Sequence, residues 1–207
     1  MDTLNGASGL SPLQMTKKRN FDLVLSAIGL VLSGWLILLA WLAASIDTRS
    51  NGFFVQKRVG RGGRIFKVIK IKTMRPNREM TTTVTRSGDP RITPLGRFFR
   101  KTKIDELPQL WNVLVGDMSF VGPRPDVPGF ADKLEGDGRI MLTLRPGITG
   151  PATLKYRNEE ELLAAVDDPE TYNREVIWPD KVRINCEYVR DWSLRKDLMY
   201  IWRTIRG

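Results

Sequence analysis

The stretch from Phe21 to Ile46, FDLVLSAIGLVLSGWLILLAWLAASI, constrains this chain more than any other, because Asp22 is its only charge. As a helix it would extend roughly 39 Å, beyond the roughly 30 Å of a bilayer's hydrocarbon core. It is too long for a secretory signal, and no small-residue cleavage pattern follows it. Lys17, Lys18 and Arg19 precede it, and Arg49, Lys57 and Arg58 follow it. Both ends are therefore drawn toward the cytoplasm, which a simple spanning helix cannot satisfy. Near the middle, Ser33 and Gly34 interrupt the aliphatic run, and such a pair is a recognised place for a kink. The expectation is a re-entrant helix-break-helix over residues 17–50, with two limbs of about 13 residues, each roughly 20 Å long. A straight transmembrane anchor is the competing reading.

Around this segment the chain divides into a flexible leader, 1–16, and a catalytic-sized domain, 51–207. With 207 residues there is room for one ordinary core plus an appendage. An excess of basic residues, 33 against 23 acidic, favours partners that carry phosphate, either nucleic acid or an anionic membrane surface. The chain has no histidine and one cysteine, Cys186, which excludes Ser-His-Asp and Cys-His chemistry, thiolate metal sites and an intrachain disulfide. An enzyme built on this sequence must work with carboxylates, lysines, arginines and a hard metal.

Past the apolar segment, GFFVQKRVGRGGRIFKVIKIKTMRP alternates apolar and basic residues around Gly60 to Gly63, which predicts a two-stranded antiparallel hairpin with Lys67, Lys70 and Lys72 on one face. Residues 77–93 read as a loop. Leu95 to Ile104, LGRFFRKTKI, predicts a basic amphipathic helix suited either to an interface or to a core. A further helix is predicted from near Asp105, with Pro108 in its first turn, to Gly116. The segments GDMSFVGPRPDVP and LRPGITGP are glycine- and proline-punctuated loops, and helices are predicted over Glu159 to Val166, Val182 to Tyr188 and Leu194 to Ile205. The fold class is α+β, helix-rich and interfacial, with one small hairpin.

The densest reactive grouping is Arg100, Lys103, Asp105 and Glu106, followed by Asp117 and Arg124. Adjacent carboxylates at a helix start commonly serve only as a cap, so the residues alone leave enzyme and structural roles open. The longer stretch KTKIDELPQLWNVLVGDMSFVGPRP resembles the signature of the bacterial sugar transferases, monotopic polyprenyl-phosphate phosphoglycosyl transferases. KKRNFDLVLSAIGLVLSG is similar to that family's membrane segment, FKVIKIKTM to its strand, LRPGITG to its second loop and YVRDWSLRKDL to its C-terminal signature. The resemblance covers Lys17 to Gly207. It implies transfer of a sugar 1-phosphate from a UDP-sugar to undecaprenyl phosphate, with release of UMP and a covalent intermediate on Asp105. Glu106 takes the place of the family acid associated with Mg2+ and proton handling, so Asp105 and Glu106 are the implied metal-side pair. Lys70, Arg100, Arg124 and Arg157 resemble its phosphate and nucleotide contacts, with Pro123 and Pro125 stiffening the backbone around Arg124.

Two positions depart from the family pattern. Ser33-Gly34 stands where the family breaks its membrane helix with Ser-Pro, and Asn185 stands where many relatives carry an aspartate. The expected partners are a UDP-sugar, undecaprenyl phosphate and an anionic phospholipid membrane, with self-association left open. Nucleic acid is set aside, because a basic module that stacks bases on Trp111, Trp178, Trp192 or Trp202 has no need of a long apolar segment. The expected location is the cytoplasmic face of a bacterial inner membrane. A non-catalytic, basic, membrane-anchored scaffold is the alternative function.

Overall fold

The computed structural model describes residues 9–75 and 89–207. Its first element, α1, is a single helix over Pro12–Thr48. Ser11 and Gln14 form a capping box at its start, so the helix begins inside the expected leader, and Leu10 is already buried in the main core. The expected break at Ser33 and Gly34 is absent. The Ser33 hydroxyl instead donates to the Gly29 carbonyl one turn back, at 2.6 Å. Glycine permits a kink but keeps its N–H, so the helical ladder continues where a proline would have cut it.

The faces of α1 are sorted in reverse of a soluble helix. Lys18, Asp22, Ser26, Ala40, Ala44 and Thr48 are buried against the rest of the chain. Val31, Leu32, Trp35, Leu38 and Ile46 stand exposed, each more than half accessible. By length and composition α1 could cross a membrane. Both of its ends nevertheless rest on the domain: Lys18 meets Asp197 at 2.6 Å, and Trp41 stacks on Phe53.

Strands β1 (Phe53–Val59) and β2 (Ile65–Ile71) form the predicted antiparallel hairpin, with Val55 opposite Ile69 and Lys57 opposite Lys67. Because side chains alternate along a strand, Lys67 stands on the face opposite Lys70, which corrects the expectation of one basic face. The polar stretch 77–93 lies largely outside the described residues. Helix α2 (Pro94–Thr102) is capped by the Thr93 hydroxyl; its Phe99 is buried with Ala40, Ala44 and Ile71, while Phe98 faces outward. The two competing readings of this helix therefore each hold for one face. Gly96 lies so close to β2's exit that a Cβ there would meet the Thr73 carbonyl oxygen at 2.1 Å.

A 3-10 turn over Ile104–Glu106 precedes α3 (Gln109–Val115), which ends as predicted at Gly116 in the left-handed region. Asp105 is thus not the cap of α3. Lys103, in a left-handed conformation, ends α2 and separates it from the acidic turn, and Pro108, which supplies no amide, lies between that turn and α3. Asn112 on α3 joins it to β2: its side-chain amide donates to the Lys67 carbonyl at 2.8 Å and its oxygen accepts from the Ile69 amide at 3.1 Å. These are the groups that β2 turns away from β1, so one side chain completes the strand's open edge.

Short strands β3 (Ser119–Val121) and β4 (Gly147–Thr149) pair in parallel. The rest is helical: α4 (Pro151–Lys155), α5 (Glu159–Ala164), α6 (Pro169–Tyr172), a π-helical turn over 173–177, α7 (Trp178–Arg190) and α8 (Leu194–Arg206). The main core gathers Val59, Val121, Ile140, Met141, Leu144, Tyr188, Val189 and Trp192. At its edge Asp197, fully buried, accepts from Lys18, from Tyr188 at 2.6 Å and from Trp192 at 3.1 Å. This cluster ties the start of α1 to α7 and α8.

Removing one partner of a buried pair leaves the other charge uncompensated, at a cost of about 3–5 kcal/mol. Asp197→Ala is therefore expected to lower unfolding stability by about that much in a detergent-solubilised denaturant titration. A change below about 0.5 kcal/mol would show that the cluster does not hold α1 to the domain.

Candidate active site

Three elements deliver the four residues of the charged centre. Lys70 comes from β2, Asp105 and Glu106 from the 3-10 turn, and Arg124 from the loop after β3. Lys70 Nζ lies 3.0 Å from Glu106 Oε1, and Arg124 Nη2 lies 3.2 Å from the same oxygen. Asn112 holds β2 at the register that brings Lys70 there. The Arg124 loop is set by close backbone packing, since a Cβ on Gly147 would meet the Gly122 amide nitrogen at 2.1 Å. Pro123 and Pro125 flank the arginine, and the Pro125 carbonyl is held by Arg58 Nη1 at 3.1 Å.

The two carboxylates are pushed in opposite directions. Burial would raise the Glu106 carboxyl, but the charges of Arg124 and Lys70, with the Lys70 hydrogen bond, outweigh it and hold it at about 2. Asp105 is buried, and burial, reinforced by the neighbouring Glu106 charge, pushes it up to about 6. Its Oδ1 is buried and, among the described residues, has no hydrogen-bond partner. Lys70 is itself lowered from its ordinary value, by burial first, with Glu106 opposing. One acid is therefore fixed as an anion by two cations, and its neighbour keeps an open oxygen and a proton that leaves near neutrality.

Of the residues expected at the site, the structure joins Lys70, Glu106 and Arg124 directly, with Asp105 beside them. Arg100 on α2 instead donates from Nε to the Thr73 hydroxyl at 3.1 Å. Arg157 is exposed at the end of α4 and makes none of the contacts that join Lys70 and Arg124 to Glu106. Asn185 is buried with its side-chain oxygen unpartnered. Among the described residues, no group of three or more His, Cys, Asp or Glu side chains gathers to hold a metal. Asp105 Oδ1 and the Glu106 oxygen that takes no part in the ion pairs to Lys70 and Arg124 are hard donors of the type that suits a divalent cation.

Sequence reading missed three contributors. Asn112 reads as an ordinary polar residue on a helix. Asp126, two residues beyond Arg124, is raised to about 7, by burial first, although Lys181, Arg58 and Arg124 oppose it. Glu159 and Lys181, far apart in sequence, form an ion pair at 2.7 Å. The PRPD run could have flagged Asp126; nothing local marks the other two.

Residues 13–207 match the bacterial sugar transferase family. The chain is 36% identical over 208 residues to a UDP-galactose-lipid carrier transferase of Erwinia amylovora, covering 91% of this chain and 39% of that protein. It is 30% identical to the exopolysaccharide production protein ExoY of Sinorhizobium fredii, covering 95% of this chain and 87% of the relative. It is 32% identical to a UDP-N-acetylgalactosamine-undecaprenyl-phosphate N-acetylgalactosaminephosphotransferase of Aeromonas hydrophila, covering 95% of this chain and 44% of that protein. The chain thus spans less than half of the Erwinia and Aeromonas proteins but most of ExoY.

The raised Asp105 carboxyl has a signed consequence. Between its ordinary value of 3.8 and about 6, the folded chain binds this proton more tightly than the unfolded chain, so stability falls as pH rises through that window. Asp105→Asn is expected to be more stable than the parent by about 1–3 kcal/mol above pH 6, the difference shrinking toward about pH 4. Thermal melts across pH in detergent check this. A variant less stable than the parent at neutral pH would contradict it.

Proposed function

Because the chain belongs to the bacterial sugar transferase family, we propose that it transfers a sugar 1-phosphate from a UDP-sugar to undecaprenyl phosphate and releases UMP. The carrying observation is the Asp105 oxygen, buried and unpartnered beside a glutamate clamped by two cations. An orphaned buried carboxylate oxygen costs stability, and a passive scaffold has no use for it.

In the first step Asp105 Oδ1 attacks the sugar-bearing phosphorus. The new O–P bond forms as the bond from that phosphorus to the bridging oxygen breaks, and UMP departs with the electron pair. In the second step a phosphate oxygen of undecaprenyl phosphate attacks the same phosphorus, and the Asp105 carboxylate is released. Asp105 must be ionised to attack, and with its carboxyl near 6 it is both available and nucleophilic at cytoplasmic pH. Arg124, 45% exposed, has guanidinium nitrogens beyond the one on Glu106 to meet the diphosphate. Glu106 keeps Arg124 and Lys70 in place before the donor arrives, so little is reorganised when it binds. Mg2+ held by Asp105 and Glu106 would supply positive charge against the diphosphate. Arg100 and Arg157 complete the proposed phosphate and nucleotide contacts. The Erwinia and Aeromonas relatives are named for different sugars, so the donor's sugar is set by the pocket rather than by the acidic turn.

The exposed apolar face of α1 is the membrane surface. An apolar face this extensive is not stable in water, and the helix rests on the domain at both ends, so the chain sits in one leaflet of the inner membrane with its ends on the cytoplasmic side. Anionic headgroups meet the basic surface.

Two measurements test this. UMP release from a panel of UDP-sugars, with undecaprenyl phosphate and Mg2+, is expected for at least one donor and to fall by at least about a thousandfold in Asp105→Ala and Asp105→Asn. No release from any donor by folded protein would favour the scaffold reading. Topology is read by thiol labelling of Lys17→Cys and Lys57→Cys, the only native cysteine being buried. Both positions are expected to label from the cytoplasmic side; periplasmic labelling at position 17 would establish a spanning helix instead.

A further inference from the structure

Beyond Arg124 the structure carries a second charged group that the reaction steps leave unused. Glu159, at the start of α5, and Lys181, on α7, form an ion pair in which Nζ donates to both carboxylate oxygens at 2.7 Å. Their side chains are 27% and 17% exposed. Arg124 lies within electrostatic reach of Glu159 and Asp126, and Asp126 within reach of Arg58, Arg124, Lys181 and Glu159. Arg124 is thus within electrostatic reach of both Glu106 and Glu159.

The surroundings hold Lys181 in place. Asp180, its neighbour, accepts from Lys155 at 2.6 Å, from Tyr156 at 2.7 Å and from Arg183 at 2.7 Å, which fixes α7 against the end of α4. Lys181 Nζ also lies 5.5 Å from the centre of the Tyr156 ring. A π-helical turn over 173–177 runs directly into α7, and such turns reset which residues a helix presents. An ion pair of this exposure contributes little to stability, and six-residue α5 gains little from it.

We infer that Glu159 and Lys181 hold a vicinal diol of the donor. Each sugar hydroxyl both donates and accepts; a carboxylate offers acceptors and an ammonium offers donors, so the pair matches two neighbouring hydroxyls at once. A UDP-sugar carries such a diol on the transferred sugar and another on its ribose, one on either side of the diphosphate that Arg124 would bind. The inference rests on the proposed reaction. It makes Glu159 and Lys181 specificity-determining residues of that site.

The test is equilibrium binding to the detergent-solubilised full chain carrying Asp105→Asn, which holds donor without turnover. UDP, 2′-deoxy-UDP and UDP-glucose, UDP-galactose or UDP-N-acetylgalactosamine are the probes, with Glu159→Gln and Lys181→Met as independent variants. A loss of about tenfold for UDP-sugar with UDP unchanged assigns the pair to the sugar diol. A loss of about tenfold for UDP and UDP-sugar, with 2′-deoxy-UDP unchanged, assigns it to the ribose. Equal losses for all three probes, or no loss in either variant, overturn the inference. Should the parent bind no UDP-sugar and no UDP, the proposed reaction fails first, and the two failures are told apart by that parent measurement.

Discussion

Two carboxylates in consecutive positions of a half-buried turn repel each other, and here Lys70 and Arg124 form ion pairs with one of them only. Much of the fold serves that asymmetry. Asn112 fixes the strand bearing Lys70, the Gly122–Gly147 contact fixes the loop bearing Arg124, and the left-handed Lys103 and Pro108 set the acidic turn off from α2 and α3. Each device spends backbone geometry or a buried amide to place a charge at one oxygen of Glu106. Asp105 inherits the result: burial and a fixed negative neighbour, without a hydrogen bond to Oδ1.

The second constraint is where such a centre must sit. The proposed donor is soluble and the proposed acceptor is not, so their phosphates would meet only at a membrane surface. The reversed faces of α1 suit that depth, with small and polar residues packed inward and large aliphatic residues outward. The buried cluster around Asp197 connects this apolar helix to α7 and α8.

What could be read from the sequence followed local rules. The β1–β2 hairpin, α2, the Gly116 stop and α8 come from periodicity, glycine turns and caps, which act over a few residues. The apolar segment was legible as helix, but its start was hidden by a leader whose composition looked irregular although Ser11 and Gln14 already spelled a capping box. The break at Ser33-Gly34 was expected from composition; glycine's retained amide decided otherwise. Arg100, Asp105, Glu106 and Arg124 stood out as a dense charged motif, whereas Arg157 was placed by resemblance; of the arginines, Arg124 is the one paired with Glu106. Contacts that span the chain were invisible: the parallel pairing of three-residue strands β3 and β4, the Asn112 bridge and the Glu159–Lys181 pair all join segments with no local signal. The face of Lys67 was misread because three lysines were counted together without following the period of two.

The central claim is that Asp105 becomes covalently bonded to the sugar phosphate. Rapid acid quench of the protein with its preferred UDP-sugar and Mg2+, in the absence of undecaprenyl phosphate, followed by mass spectrometry of the peptide containing Asp105, tests it directly. The account predicts a mass increase of one sugar phosphate on that peptide, which disappears when undecaprenyl phosphate is added. UMP formation dependent on both substrates, with no such adduct at any quench time, would contradict it and require direct attack by the acceptor.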